Sequence, residues 1–133
     1  MRYLLDTHFV LWLLFDAEKV SSKIRLILEN PKNEIYVSKI SLWEISLKYG
    51  LGKLNLYNSK PEEIEKILLL NSYNILDLNS GDILSFYNLP QNLHKDPFDK
   101  MIVWQAIKNN LVLITQDEKL EEYKNSGLKI ELQ

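Results

Sequence analysis

Short apolar runs alternate along this chain with longer segments whose apolar residues recur at helical spacing. Tyr3-Leu4-Leu5 is the first such run and predicts a buried strand that ends at Asp6. Thr7 to Phe15 carries apolar residues on nearly every side and predicts a helix packed into the core. Ser21-Ser22 supplies an N-cap for a helix over 23–29, which Asn30-Pro31 stops. Ile35-Tyr36-Val37 is rich in strand formers. The next helix, over 40–49, is closed by Gly50 at the C′ position. Pro61-Glu62-Glu63 opens a helix running to Leu70, with proline in the first turn and acids against the helix dipole. The remaining pattern predicts a strand at Ile75-Leu76 and a helix from Asn79-Ser80 to about Asn88. A helix from Asp96-Pro97 to Asn109-Asn110 follows, then a strand over Leu111–Ile114, a short helix over 118–123 and a last strand at Lys129–Leu132.

Strands that alternate with helices predict an α/β fold with a mainly parallel central sheet flanked by helices on both faces. Ligands of such sheets bind outside the carboxyl ends of the strands. Asp6 stands directly after the first strand, and Asp117 three residues after Ile114. Function is therefore sought there first.

Composition narrows the chemistry. At 133 residues the chain is expected to form one domain, 1–133, large enough for a hydrophobic core without staples. There is no cysteine, which excludes disulfides, thiolate metal sites and a cysteine nucleophile. The net charge of −2, from 16 basic and 18 acidic residues, does not describe a general nucleic-acid coat. It leaves room for a local basic patch beside a specific site. No apolar run approaches a membrane span and no signal-peptide pattern stands at Met1, so a cytoplasmic protein without membrane attachment is expected.

Four acids combine into a candidate site. Glu44 lies in Ile40-Ser41-Leu42-Trp43-Glu44-Ile45-Ser46-Leu47-Lys48, a helix expected to be buried on most sides, where an ionised carboxylate needs a cation, a proton or hydrogen bonds. Pairing with Lys48 at i+4 is the plainer explanation. In Asp96-Pro97-Phe98-Asp99, Asp96 suits an N-cap, whereas Asp99 shares the apolar stripe of Ile102, Val103 and Ala106. Asp6 and Asp117 could each be simple N-caps. Converging on one crevice, the four would repel one another unless a divalent cation neutralised them, and all-oxygen ligation suits Mg²⁺ or Mn²⁺. His8 and His94 are too scattered to be read as ligands and are expected to be structural or phosphate-facing.

These blocks also resemble a known family. Leu4-Leu5-Asp6-Thr7-His8, Ser41-Leu42-Trp43-Glu44-Ile45 with Lys48 and Gly52-Lys53-Leu54, Leu89-Pro90 through His94-Lys95-Asp96-Pro97-Phe98-Asp99-Lys100, and Leu113-Ile114-Thr115-Gln116-Asp117 resemble the PIN-domain ribonucleases. They look closest to the VapC-like toxins of type II toxin–antitoxin modules. The resemblance spans Tyr3 to about Tyr123 and implies a PIN-like domain that cleaves RNA with Mg²⁺ or Mn²⁺. It places Asp6, Glu44, Asp99 and Asp117 at the catalytic, metal-holding positions, and Thr7 and Thr115 where a hydroxyl supports the metal shell. It also implies a small cognate antitoxin and homodimerisation. Lys100 and Gln116 stand where the family commonly has arginine, and lysine lacks the bidentate fork.

The expected reaction is hydrolysis of an RNA phosphodiester by metal-activated water. Lys48, Lys53 and Lys100 are candidate phosphate contacts. Trp12, Leu13, Phe15 and Tyr49 could form a partner surface, although core packing explains them equally well. Three other readings stay open: a DNA nuclease or phosphatase using the same acids, a non-enzymatic acidic-pocket module of receiver type, and an inactive relative kept for protein binding.

Overall fold

The computed structural model describes all residues, 1–133. Five strands, β1 (Arg2–Leu5), β2 (Glu34–Ser38), β3 (Asn74–Leu76), β4 (Val112–Thr115) and β5 (Lys129–Leu132), form one sheet in the order β3-β2-β1-β4-β5. Every pairing is parallel. The helices are α1 (Thr7–Phe15), α2 (Ser22–Glu29), α3 (Lys39–Gly50), α4 (Pro61–Leu70), α5 (Ser80–Ser85) and α6 (Pro97–Lys108). Single 3₁₀ segments cover Ala17–Lys19, Phe86–Asn88 and Glu118–Ser126.

Strand alternation divides the core in two. Tyr3 and Leu5 of β1, Ile35 and Val37 of β2 and Ile114 of β4 pack with Phe9, Val10, Ile24, Ile45, Ile64 and Leu68 on one face. Leu4 and Leu113 point the other way and meet Ile40, Ile102, Val103, Ala106, Leu120 and Tyr123. Both faces are thus covered, which is the condition that lets a parallel sheet exist. The chain runs outward from β1 to β2 and β3, then returns to the far side of β1 for β4 and β5. That reversal opens a crevice beside the carboxyl end of β1.

Several local expectations are corrected. Gly50 is the last residue of α3, and the left-handed turn falls on Gly52 at φ +72°, whose N–H donates to Tyr49 O. The helix expected up to Asn88 stops at Ser85 and tightens into a 3₁₀ turn, because Pro90 holds Leu89 extended at ψ 134°. In α1 only Thr7, Phe9 and Val10 are buried, while Leu11 to Phe15 remain half-buried, so this helix lies over the core rather than inside it. No helix is long and apolar enough to cross a membrane.

Leu113 sits in β4 with no exposed surface, enclosed by residues from β1 and α6. Leu113→Ala should lower unfolding free energy by about 3–4 kcal/mol, read from urea denaturation, because the sheet centre cannot collapse onto the cavity.

Candidate metal centre

The site is built at the carboxyl edge of the two central strands. Asp6 leaves β1 in extended conformation (φ −62°, ψ 150°) and caps α1, its Oδ1 accepting the His8 N–H at 2.9 Å. Its Oδ2 accepts the Thr115 hydroxyl at 2.7 Å. Thr115 Oγ1 in turn accepts the Asp117 N–H at 3.1 Å, and Asp117 Oδ1 accepts that of Lys119 at 3.0 Å. Thr115 thus joins two acids that lie far apart in sequence. Burial pushes the Asp6 carboxyl up, but hydrogen bonds from His8 and Thr115 outweigh it and hold the carboxyl below its ordinary range. The His8 imidazole, 3.5 Å from Asp6 Oδ1, is raised chiefly by that contact.

Glu44 comes from α3, whose inward side carries Ile40, Ser41, Glu44 and Ile45. The helix is not buried on most sides: Trp43 is 62% exposed and Leu47 42%, yet Glu44 is only 2% exposed. Lys48 donates to Glu44 Oε2 at 2.6 Å, so the i+4 pair exists. It satisfies only half of the carboxylate, because Oε1 is buried without a hydrogen-bond partner. Thr7 does not reach an acid; its hydroxyl shares a buried hydrogen bond with Ser41 at 2.9 Å.

At the start of α6, Asp96 is the cap, with Oδ1 accepting the N–H groups of Phe98 at 2.8 Å and Asp99 at 3.3 Å. Asp99 is left free for another task and lies 3.1 Å from His94 Nε2 through its Oδ2. Burial, with repulsion from Asp6, pushes the Asp99 carboxyl up to about 6, against the lowering effect of His94. Asp96 and Glu44 add to that repulsion. Three of the four predicted acids therefore share one electrostatic field.

Ligand atoms of His94, Asp99 and Asp117 all lie within 4.8 Å of one another, and these three residues could together hold a divalent cation. The exclusion of His94 from the site is thus corrected. Its loop folds back over the start of α6, a contact that the five-residue spacing to Asp99 hinted at without fixing. Asp6 and Glu44 stand outside this closest group, each turned toward its own partners. Lys100 binds Gln91 Oε1 at 3.2 Å on the surface. Gln116, beside Asp117, buries an unpartnered Oε1. The group of His94, Asp99 and Asp117 offers three ligands to a divalent ion, and the unpartnered Glu44 oxygen and the raised Asp99 carboxyl are both features that positive charge would relieve.

Residues 3–125 match the family model described as PIN domain, and the chain belongs to that family. Comparison with curated protein sequences finds no match. Among solved structures, the fold is similar to VapBC2 from Rickettsia felis bound to a DNA fragment from their promoter. The TM-score is 0.69 at 23% identity, covering 99% of this chain and 98% of that one. DNA-bound VapBC from Salmonella typhimurium is similar at TM-score 0.68 and 21% identity, covering 98% and 97%. VapBC-1 from nontypeable Haemophilus influenzae is similar at TM-score 0.66 and 23% identity, covering 99% and 98%.

The raised Asp99 carboxyl has a consequence for stability. Its folded-state pKa lies above the unfolded value, so chelator-treated protein should lose stability as pH rises from about 4 through about 6. Ionised Asp99 costs such protein of the order of 2–3 kcal/mol at neutral pH. Asp99→Asn should therefore raise the melting temperature in EDTA at pH 7.5, with the difference fading toward pH 4. An equal or lower melting temperature for the variant would show that Asp99 is not under strain.

Proposed function

We propose that this PIN-domain protein is a Mg²⁺- or Mn²⁺-dependent endoribonuclease, the toxin of a type II toxin–antitoxin module. The observation that supports the reading is the grouping of His94, Asp99 and Asp117 next to Asp6, which Thr115 ties to Asp117, with Glu44 Oε1 buried and unpaired.

In this reading Asp6, Asp99 and Asp117, with Glu44 through Oε1, would hold the cation. A divalent ion held there would supply a water molecule of lowered pKa and positive charge against the phosphate. Thr115 and the α1 amide keep Asp6 ionised and fixed in direction. His94 holds Asp99 in place through their hydrogen bond and would stand with it among the groups around the cation. The carboxylates orient the attacking water, and in-line displacement leaves a 5′-phosphate and a 3′-hydroxyl. No side chain serves as covalent nucleophile. Lys48, held at the rim by Glu44, and the surface residues Lys53 and Lys100 receive substrate phosphates.

Similar solved structures include a toxin–antitoxin complex from Klebsiella pneumoniae and VapBC-5 from Mycobacterium tuberculosis, a member of the VapBC family of toxin–antitoxin systems. The reading includes a small antitoxin partner, a homodimeric state and a cytoplasmic site of action. The half-buried Trp12, Leu13 and Phe15 of α1 and the exposed Tyr49 offer apolar surface for such contacts.

Purified protein with Mn²⁺ should cut RNA in preference to DNA or a phosphomonoester, and EDTA should silence it. Asp6→Asn, Glu44→Gln and Asp99→Asn should each lower kcat by about a hundredfold or more. Variants that cut as fast as wild type would refute the metal centre. Expression should arrest growth, relieved by co-expressing a small neighbouring gene product; harmless expression of folded, RNA-cleaving protein would remove the toxin role alone.

A further inference from the structure

Helices α3 and α6 carry Glu44 and Asp99, and they cross in opposite directions with two points of attachment. At the rim, Trp43 meets Phe98 edge to face, ring centroids 5.2 Å apart at 73°. Glu44 and Asp99 are each the next residue along. At depth, the Ser38 hydroxyl donates to Gln105 Oε1. Ser38 Oγ also accepts the Ile40 N–H at 3.0 Å, so it is the cap of α3. Gln105 Nε2 donates to the Asp77 carbonyl at 3.2 Å, just beyond β3. Neither Ser38 nor Gln105 has any exposed surface.

Gln105 interrupts an otherwise apolar stretch, Ile102-Val103-Trp104-Gln105-Ala106, all of it buried. An apolar side chain would fill that volume without needing two hydrogen-bond partners. What an amide adds is direction, since apolar contact is indifferent to sliding and a hydrogen bond is not. Five residues separate Ser38 from Trp43 and seven separate Phe98 from Gln105, or about 8 Å and about 10 Å of helix. Fastened at both ends, α3 cannot slide or turn against α6 without breaking one attachment. Any such movement would change the spacing of Glu44 and Asp99.

We infer that Gln105 is a positioning residue for the cation site: bound to Ser38 and the Asp77 carbonyl, it sets the register of α3 on α6 and so the placement of Glu44 against Asp99. The inference rests on reading the cleft as a cation centre. Gln105 touches neither acid, and its role is exerted through the helices.

The test is direct Mn²⁺ binding by titration calorimetry, without RNA, at a temperature where each variant is folded. Gln105→Met and Ser38→Ala should weaken Mn²⁺ affinity by about tenfold or more, while Ser38→Thr, which keeps the hydroxyl, should stay within about threefold of wild type. Ile24→Ala, a core truncation in α2, which carries none of the site residues, should lower the melting temperature yet leave Mn²⁺ affinity unchanged. On RNA, Gln105→Met should lower kcat with KM unchanged. Wild-type Mn²⁺ affinity in both Gln105→Met and Ser38→Ala would overturn the inference, as would equal weakening by Ile24→Ala. If Gln105→Met does not fold, Ser38→Ala against Ser38→Thr decides. Wild type that binds no Mn²⁺ would overturn the cation-centre reading and this inference with it, whereas wild-type binding indifferent to both variants overturns this inference alone.

Discussion

The parallel pairing of β1 with β4, in register from Tyr3–Val112 to Leu5–Ile114, brings Asp6 and Thr115 together at the sheet edge. The Thr115 hydroxyl then donates to Asp6 and accepts from the Asp117 backbone, so two acids share one anchor. The other two acids are brought to the same edge by helices: Glu44 on α3, which follows β2, and Asp99 on α6, which precedes β4. A parallel sheet turns all its carboxyl ends one way, and that polarity gathers residues scattered over most of the chain. A one-residue slip of β4 would point Leu113 to the wrong face and carry Thr115 away from Asp6.

Gathering these acids has an electrostatic cost, and the structure distributes it unevenly. Asp6 is compensated by Thr115, a helix amide and His8, and stays easily ionised. Glu44 is compensated on one oxygen by Lys48. Asp99 has a single histidine against its own burial and the field of Asp6, Asp96 and Glu44, and its carboxyl rises to about 6. The cleft is thus a locally unfavourable arrangement carried by a well-packed core, the usual relation between a functional site and its scaffold.

Much of this was legible in the sequence wherever the deciding interaction was local. Apolar runs at Tyr3–Leu5 and Leu111–Ile114 read as buried strands because both their faces are covered, and the acids that follow them were readable from the strand ends. Proline at Pro97 identified Asp96 as the cap and so released Asp99 for another role. Long-range pairings were not legible. The histidine at His94 looked isolated because its partner depends on how a loop folds back, and Thr7 looked like a supporting hydroxyl although Ser41, on another helix, engages it. Helical periodicity placed Glu44 among apolar neighbours but could not tell that Trp43 and Leu47 face outward. The role of Gln105 is not legible from sequence, because a single polar residue in an apolar stripe gains meaning only when Ser38 and Asp77 arrive.

The Thr115–Asp6 hydrogen bond spans 109 residues of sequence. An N-terminal stretch emerging from the ribosome carries the residues of β1, α1 and α3, but it has no neighbour for the open side of β1. Until β4 is made and docks, Asp6 lacks its hydroxyl partner and Asp117 does not exist. The cleft therefore comes into being in one of the last steps of chain growth, and a polypeptide cut short before Thr115 can have the helices and half the sheet yet no complete set of acids. Contacts of such separation also slow folding, because the ends of a long loop must meet before any stabilisation is gained. The complete acidic set therefore belongs only to a chain in which β4 has docked, and no shorter product of synthesis carries it.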